Sequence, residues 1–121
     1  AVTPIRKLRD AGVNVCIATN NIRNAFTPYG NGDIFQTAMI AIPVAHLGGA
    51  DDLPTVLPMI TENPAKALKL DGYGIGEGNK ANLVILDTKV VNDAIIDIPT
   101  RLFVIKDGRV TVETTKTVTV H

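Results

Sequence analysis

The chain has 121 residues, which is the length of one domain or of one part of a larger domain. Twelve basic and twelve acidic residues give a net charge of zero, which argues against a nucleic-acid or anionic-membrane partner. The single cysteine excludes an internal disulfide bond, and no apolar run reaches the roughly 18 residues of a membrane span. We therefore expect a soluble, cytoplasmic protein. Because the chain opens on Ala1 and not on methionine, we also expect a piece of a longer protein.

The first predicted elements are a short helix over residues 4–11 and a strand over residues 13–18. Thr3 suits the N-cap of the helix, Pro4 suits its first helical position, and Gly12 follows where a helix ends. The helix therefore leads directly into the strand.

The predicted strand has two unlike faces, since successive side chains of a strand alternate. The apolar face holds Val13, Val15 and Ile17, and the small or polar face holds Asn14, Cys16, Ala18 and Asn20. A small and polar face favours a strand that lines a barrel or a site, because a strand buried in an open sheet is more often apolar on both faces. Asn20 and Asn21 then lie at the carboxyl end of the strand, where open α/β sheets and (β/α) barrels hold ligands.

The next predicted element is a helix that begins after Asp33 or Asn31 and continues through Leu47. Its side chains are apolar nearly all round, so we expect it to be buried on most sides. Pro43 predicts a bend, and the glycines at positions 48–49 predict the end of the helix.

Two shorter helices are predicted next, over residues 53–60 and from Asn63 to the Asp-Gly pair at 71–72. Residues 73–80 are rich in glycine, and their Gly-Ile-Gly-Glu-Gly run is loosely similar to a dinucleotide-binding loop. That motif requires a preceding strand and a following helix, and neither is predicted. We interpret this segment as a series of turns.

The last third of the chain is rich in β-forming residues. The predicted strands are residues 82–86, 101–106 and 109–113. The Asp-Gly pair at 107–108 predicts a two-residue hairpin, and residues 114–120 predict a fourth strand or an edge. The fold class is therefore α/β, with helix-strand units over residues 1–78 and a small antiparallel sheet over residues 79–121.

The loop after the first strand holds the best functional candidates. Asn20 and Asn21 either take part in a site or simply cap and turn the loop. Arg23 could hold an anionic group, pair with a neighbouring loop or lie solvated on the surface. Phe26 and Tyr29 either wall a pocket for a flat ligand or anchor the loop to a barrel rim.

Three further residues receive structural interpretations. His46 has no histidine or cysteine at metal-ligand spacing, so we interpret it as a hydrogen-bonded structural residue. Cys16 has no base beside it in the sequence, which favours a small core residue over a nucleophile. His121 is the terminal residue and could belong to an expression tag or a frayed end.

Several motifs together carry a family resemblance. They are Gly-Val-Asn-Val-Cys-Ile-Ala-Thr-Asn-Asn at 12–21, the Pro-Tyr-Gly loop, Thr-Glu-Asn-Pro-Ala at 61–65, Gly-x-Gly-x-x-Ala-x-Leu-Val at 76–84 and Val-Ile-Lys-Asp-Gly-Arg-Val at 104–110. In this order they resemble the C-terminal part of a metal-dependent amidohydrolase. The first motif is most similar to the cytosine deaminase branch.

The resemblance implies a (β/α)8 barrel with a flanking β-sandwich. The segment 4–11 would be the seventh barrel helix, 13–18 the eighth strand, 33–47 its helix, and 82–113 part of the sandwich. Family members activate water on a divalent metal, commonly zinc or iron, to attack an amide or amidine-like carbon. An aspartate at the end of the eighth strand orients this water and takes its proton.

This sequence departs from the family at that aspartate. Asn20 takes its place as the catalytic candidate, and Asn21 replaces the acidic residue that often follows. The amide oxygen of Asn20 can be a neutral metal ligand or a hydrogen-bond acceptor, but it cannot act as a general base near neutral pH. The resemblance places Phe26 in the substrate loop, and we predict that Asn21, Arg23 and Phe26 bind substrate. The metal-binding histidines of the earlier strands are not in this chain, so we expect no metal in this segment alone.

The resemblance therefore predicts an enzyme that hydrolyses a non-peptide C–N bond of a small cyclic compound when intact, and a segment that is inactive alone. The alternative is a non-catalytic small-molecule binding or assembly protein that retains the amidohydrolase fold. A parallel strand over residues 13–18 lacks neighbours before it in this chain. We thus expect an oligomer, in which the chain associates with the missing N-terminal part of the barrel or with further copies of itself.

Overall fold

A computed structural model of the chain describes residues 2–121 and divides the chain into two compact units, Ala1–Leu70 and Asp71–His121. The first unit contains α1 (Ile5–Asp10), α2 (Ile34–Val44), 3₁₀ turns at Leu53–Thr55 and Pro58–Ile60, and α3 (Glu62–Ala67). The second contains β1 (Leu83–Leu86), α4 (Asp93–Ile96), β2 (Arg101–Lys106) and β3 (Arg109–Glu113). No helix within residues 2–121 is both long and apolar enough to span a membrane.

Helix α1 ends as the sequence predicts but begins differently. Its N-cap is Pro4, and no side chain caps it, so the prediction that Thr3 would be the N-cap is wrong. The carbonyl of Thr3 instead accepts a bond from the amide of Ile5 at 2.8 Å. At the other end Gly12 has φ +82, and the Val13 amide donates to the Leu8 carbonyl at 3.0 Å. This is a Schellman motif, which turns the chain directly out of the helix.

The helix α2 begins at the predicted cap, because the Asp33 carboxylate accepts a bond from the Phe35 amide at 3.0 Å. It ends three residues earlier than predicted, at Val44. His46, with φ +57, takes the left-handed position that the sequence assigned to glycine, and Leu47 closes the motif by donating to the Ile42 carbonyl at 2.8 Å. The prediction that α2 would be buried on most sides is wrong for this structure, in which Ala38 is its buried residue.

The core of the first unit lies between one side of α2, the two 3₁₀ turns and α3. Its buried side chains are Ala38, Leu47, Val56, Met59 and Ala65. The single helix predicted over residues 53–60 is two 3₁₀ turns, each with a proline in its first positions. In an α-helix the ring of Pro58 would clash with the carbonyl four residues earlier, so the chain forms tighter turns. The third helix begins at Glu62 instead of Asn63 and ends at Ala67, before the predicted Asp-Gly pair at 71–72, because Lys69 takes a left-handed conformation with φ +53.

An ion-pair cluster ties α1 to the first 3₁₀ turn. The Asp52 carboxylate pairs with Arg9 at 2.8 Å and also with Arg6, and Arg9 donates to the Thr55 hydroxyl at 3.1 Å. The hydrogen bonds to Asp52 and then to Asp10 raise the pKa of Arg9 above its ordinary value. These charges therefore help to fix the helix that precedes residues 13–18.

The second unit is a three-stranded antiparallel sheet in the order β1-β2-β3. The bounds of β2 and β3 are those predicted, and Asp107 and Gly108 between them have φ of +49 and +75, as a two-residue hairpin requires. Residues 114–120 form no strand, so the predicted fourth strand or edge is absent from the part of the chain described. The short helix α4, which buries Ala94 and Ile95, was not predicted.

Residues 13–18 form no strand in this structure, contrary to the prediction. A strand exists only through the hydrogen bonds of a neighbour, and none of the described residues pairs with this segment as a ladder. The predicted alternation nevertheless persists over residues 15–18, although Val13 of the predicted apolar face is 49% exposed. Val15 and Ile17 are half-buried, whereas Cys16 and Ala18 are exposed. Cys16 is therefore not the buried core residue that we expected.

Replacement of Gly12 by alanine tests the turn that sets the direction of the backbone into residues 13–18. No atom lies within 4 Å of a Cβ at this position, so the cost is that of a left-handed backbone, about 1–2 kcal/mol. We expect G12A to lower the free energy of unfolding by that amount in equilibrium urea titrations. The matched control is G48A, whose φ lies outside the left-handed range and whose Cβ would meet only Ile42, at 3.7 Å. Equal destabilisation by both variants would contradict this account.

Candidate functional site

The side chain of Asn63 fixes the segment that leads to the candidate site. Its Nδ2 donates to the Val15 carbonyl at 2.7 Å, while its own carbonyl accepts from Nδ2 of Asn14 at 2.9 Å. The Ile17 amide donates to the Met59 carbonyl at 2.9 Å. Three hydrogen bonds thus hold residues 14–17 against the second 3₁₀ turn and α3, where a sheet neighbour would otherwise be needed.

Asn20 ends this segment in a left-handed conformation with φ +59, which asparagine tolerates better than most residues. The Asn21 amide donates to the Thr19 carbonyl at 2.6 Å, so the chain turns sharply around Asn20. The Asn20 side chain is exposed, and no residue within 2–121 forms a hydrogen bond with it. Its amide is therefore available to a ligand, although its only demonstrated role is in the turn.

Asn21 and Arg23 bond within the loop, residues 20–33. The Asn21 side-chain oxygen accepts from Nδ2 of Asn24 at 2.7 Å. Nε of Arg23 donates to the Gly30 carbonyl at 2.8 Å, and the Arg23 amide donates to the Tyr29 carbonyl at 3.4 Å. Arg23 is exposed, as in the surface role that the sequence left open, and its contacts lie within its own loop and not with a neighbouring one.

Phe26 and Tyr29 project from this loop. The exposed fraction is 88% for Phe26 and 73% for Tyr29, so neither ring anchors the loop to any of the described residues. Two large exposed aromatic side chains on a hydrogen-bonded loop are a surface on which a flat ligand can stack.

Two residues to which the sequence assigned no such role organise this region. Asn24 accepts hydrogen bonds from the amides of Phe26 at 3.0 Å and Thr27 at 2.9 Å, which is the Asx-turn geometry that asparagine favours. Asn63 was recognised only as the start of a helix within the Asn-Pro-Ala motif. An asparagine two and three residues before the amides of Phe26 and Thr27 could have predicted the Asx-turn at Asn24. No local pattern predicts the contact of Asn63 with Val15, which is 48 residues away in the chain.

His46 and Cys16 belong to no metal-binding cluster of the described residues. His46 is exposed, and its bond from Arg6 is to the backbone carbonyl, so this contact does not test the predicted hydrogen-bonded side chain. Among residues 2–121, no three His, Cys, Asp or Glu side chains lie close enough together to hold a metal ion. A single amide such as Asn20 does not form a metal site by itself, so the residues described here do not fit a bound metal.

Removal of the Asn63 amide should release residues 14–17. We expect N63A to lower the free energy of unfolding by about 1–3 kcal/mol, because it leaves the half-buried Val15 carbonyl without its donor. The Ile17 amide should then exchange its hydrogen faster. The matched variant N14A removes one exposed donor and should cost about 0.5–1 kcal/mol. Unchanged exchange at Ile17 in N63A would show that Asn63 does not hold this segment.

Comparison with known proteins assigns the chain to a family. The amidohydrolase family profile matches residues 1–112. The chain is 42% identical over 111 residues to the N-isopropylammelide isopropyl amidohydrolase of Pseudomonas sp. (strain ADP), covering 91% of this chain and 28% of that protein.

Two solved structures agree with this match. The 5-methylcytosine deaminase of Klebsiella pneumoniae, liganded with phosphonocytosine, superposes on 99% of this chain with a TM-score of 0.93 and 36% identity. The N-isopropylammelide isopropylaminohydrolase of Burkholderia multivorans ATCC 17616 covers 93% of the chain with a TM-score of 0.86 and 28% identity. The chain spans 30% and 29% of the lengths of these two enzymes. The chain belongs to the amidohydrolase family.

Proposed function

We propose that the chain is the C-terminal part of a (β/α)8 amidohydrolase, and that the whole protein hydrolyses a non-peptide C–N bond of a small cyclic compound. The observation that carries this proposal is the match of 99% of the chain, at a TM-score of 0.93, to a deaminase that acts on 5-methylcytosine. The relatives named as N-isopropylammelide hydrolases support a substrate of the same class, since their names also describe a nitrogen-bearing substrate.

In this proposal residues 13–18 are the eighth strand of the barrel. Their alternating exposure supports it, because the exposed face of Cys16 and Ala18 carries the small side chains that suit a barrel interior. The outer side of α2 is also uncovered, with Ile40 57% exposed. We assign both surfaces to contact with the remaining part of the protein, since the solved relatives are more than three times as long as this chain. Association between copies of the chain is the alternative arrangement.

The proposed site lies at the end of this segment. Phe26 would stack on the flat ring of the substrate, and the Asn20 amide would form a hydrogen bond with a ring substituent or with water. We assign Asn21 and Arg23 to the shape of the loop, because their observed contacts lie within it. Asn20 cannot take a proton from water near neutral pH, so another group must be the base.

Residues 2–121 cannot bind the family's divalent metal, zinc or iron, on their own, because they provide no cluster of His, Cys, Asp or Glu side chains as metal ligands. No step of the proposed reaction is therefore assigned to a metal bound by this chain. Its own contribution is the aromatic surface of Phe26 and the neutral amide of Asn20.

A second candidate function is the binding of a small cyclic molecule without turnover. The observation that favours it is the pair of amides at Asn20 and Asn21, where the resemblance predicts acidic side chains. A binding protein needs the stacking surface and the hydrogen bond but no general base.

Product release separates these two functions. We expect the whole protein, expressed with any sequence that flanks these 121 residues, to release ammonia from 5-methylcytosine or isopropylamine from N-isopropylammelide, and the chain alone to release neither. Binding of these compounds without product release would overturn hydrolysis and favour the binding function. Turnover by the chain alone would contradict the proposed incompleteness of its site.

Substitution of Asn20 tests the role of its amide. If Asn20 donates a hydrogen bond to the reacting group, N20A should lower kcat/KM by roughly 100-fold, and N20D should not exceed the activity of the unsubstituted protein. If the base has been lost instead, N20D should gain turnover of the size that a general base supplies, roughly 100- to 10,000-fold. The control is N31A, which removes a side-chain oxygen that accepts a hydrogen bond from the Asp33 backbone amide at the far end of the same loop. Equal losses in N20A and N31A would show that Asn20 only shapes the loop.

A further inference from the structure

An exposed aromatic ring contributes fully to binding only if the chain already holds it in the bound position. Ordering a free side chain or loop on binding costs affinity, and preorganisation removes that cost. Phe26 is 88% exposed in a segment without regular secondary structure, so packing against the described residues cannot hold its ring. Its position must therefore come from the backbone that carries it.

The backbone around Phe26 is organised by one side chain. The side-chain oxygen of Asn24 accepts bonds from the amides of both Phe26, at 3.0 Å, and Thr27, at 2.9 Å. The backbone amide of Asn24 in turn donates to the Thr27 carbonyl at 2.9 Å. These bonds close a turn over residues 24–27 and fix the point from which the ring of Phe26 projects.

The other end of the Asn24 side chain joins this turn to the end of residues 13–20. Its Nδ2 donates to the Asn21 side-chain oxygen at 2.7 Å, and Asn21 directly follows Asn20. A single amide group thus links the backbone of Phe26 to the neighbour of the proposed catalytic residue. Aspartate at position 24 could accept the two backbone bonds but could not donate to Asn21, and it would keep that link only if the Asn21 amide turned over to donate its own Nδ2.

We infer that Asn24 is a positioning residue, which holds Phe26 over the site so that a planar nitrogen heterocycle can stack on its ring next to Asn20. This inference rests on the proposed role of Phe26 as the stacking surface. Asn24 itself does not touch the substrate and acts through Phe26. The loss of Asn24 therefore weakens ring binding and leaves the chemical step largely unchanged.

The first test needs no ligand. In N24A the amides of Phe26 and Thr27 lose their acceptor, and we expect their hydrogen exchange to accelerate at least tenfold. In N24D they keep an acceptor and should exchange at nearly the original rate. The matched control N31A removes the other side-chain turn of the loop, in which Asn31 accepts from the Asp33 amide, and should leave both rates unchanged. Unchanged exchange in N24A overturns the inference whatever the protein binds.

The second test is a double-mutant cycle in the whole protein, with 5-methylcytosine and N-isopropylammelide as the probes. We expect N24A to raise KM, or Kd if there is no turnover, roughly 2- to 10-fold with kcat changed less than about twofold. N24D should give a smaller rise. Because Asn24 acts through Phe26, the double variant N24A/F26A should bind no more weakly than F26A alone.

The outcomes separate the two proposals. If F26A leaves binding of both probes unchanged, the stacking role of Phe26 fails, and the inference about Asn24 fails with it. If F26A weakens binding while N24A does not, the stacking role survives and the positioning role of Asn24 is overturned. Additive losses in the double variant would also overturn it, because Asn24 would then act independently of Phe26.

Discussion

The bond from the Asn63 side chain to the Val15 carbonyl is the constraint on which the proposed site depends. It fixes residues 13–18, which lack a sheet neighbour within the described chain, against the core formed around Met59 and α3. The position of Asn20 follows from it, because Asn20 ends this segment. Asn63 belongs to the Asn-Pro-Ala motif that carried the family resemblance, so the motif has a physical task in this structure: it anchors the backbone that leads to the site.

Residues 13–18 also keep part of the side-chain alternation of a strand. Val15 and Ile17 turn toward the core and the small side chains turn away, although no ladder forms. The superposition on 99% of the chain with a deaminase more than three times as long fits this view, because local anchors preserve the path of the backbone. In the proposed barrel, the hydrogen bonds of a strand and the cover over α2 would come from residues outside this chain.

The predictions that succeeded depend on local chemistry. The Asp-Gly pair at 107–108 and the alternation on either side of it determine the β2–β3 hairpin, and Gly12 and Asp33 determine helix ends. The failures have physical causes of two kinds. Strand formation at 13–18 requires neighbouring strands, which no local sequence pattern reveals. Helix α2 ends early because His46 adopts a left-handed backbone conformation, which is more typical of glycine. The family was predicted from its motifs, whereas the contacts of Asn24 and Asn63 were visible only in three dimensions.

We propose that residues 13–18 are the eighth strand of a barrel whose neighbouring strands lie outside these residues. Hydrogen exchange at these amides, compared between the chain alone and the whole protein, tests it most directly. If so, exchange should be rapid in the chain alone except at Val13 and Ile17, whose amides bond to the Leu8 and Met59 carbonyls, and the whole segment should be protected in the whole protein. The same exchange rates in both would contradict it, because the segment would then have no strand partner in the complete molecule.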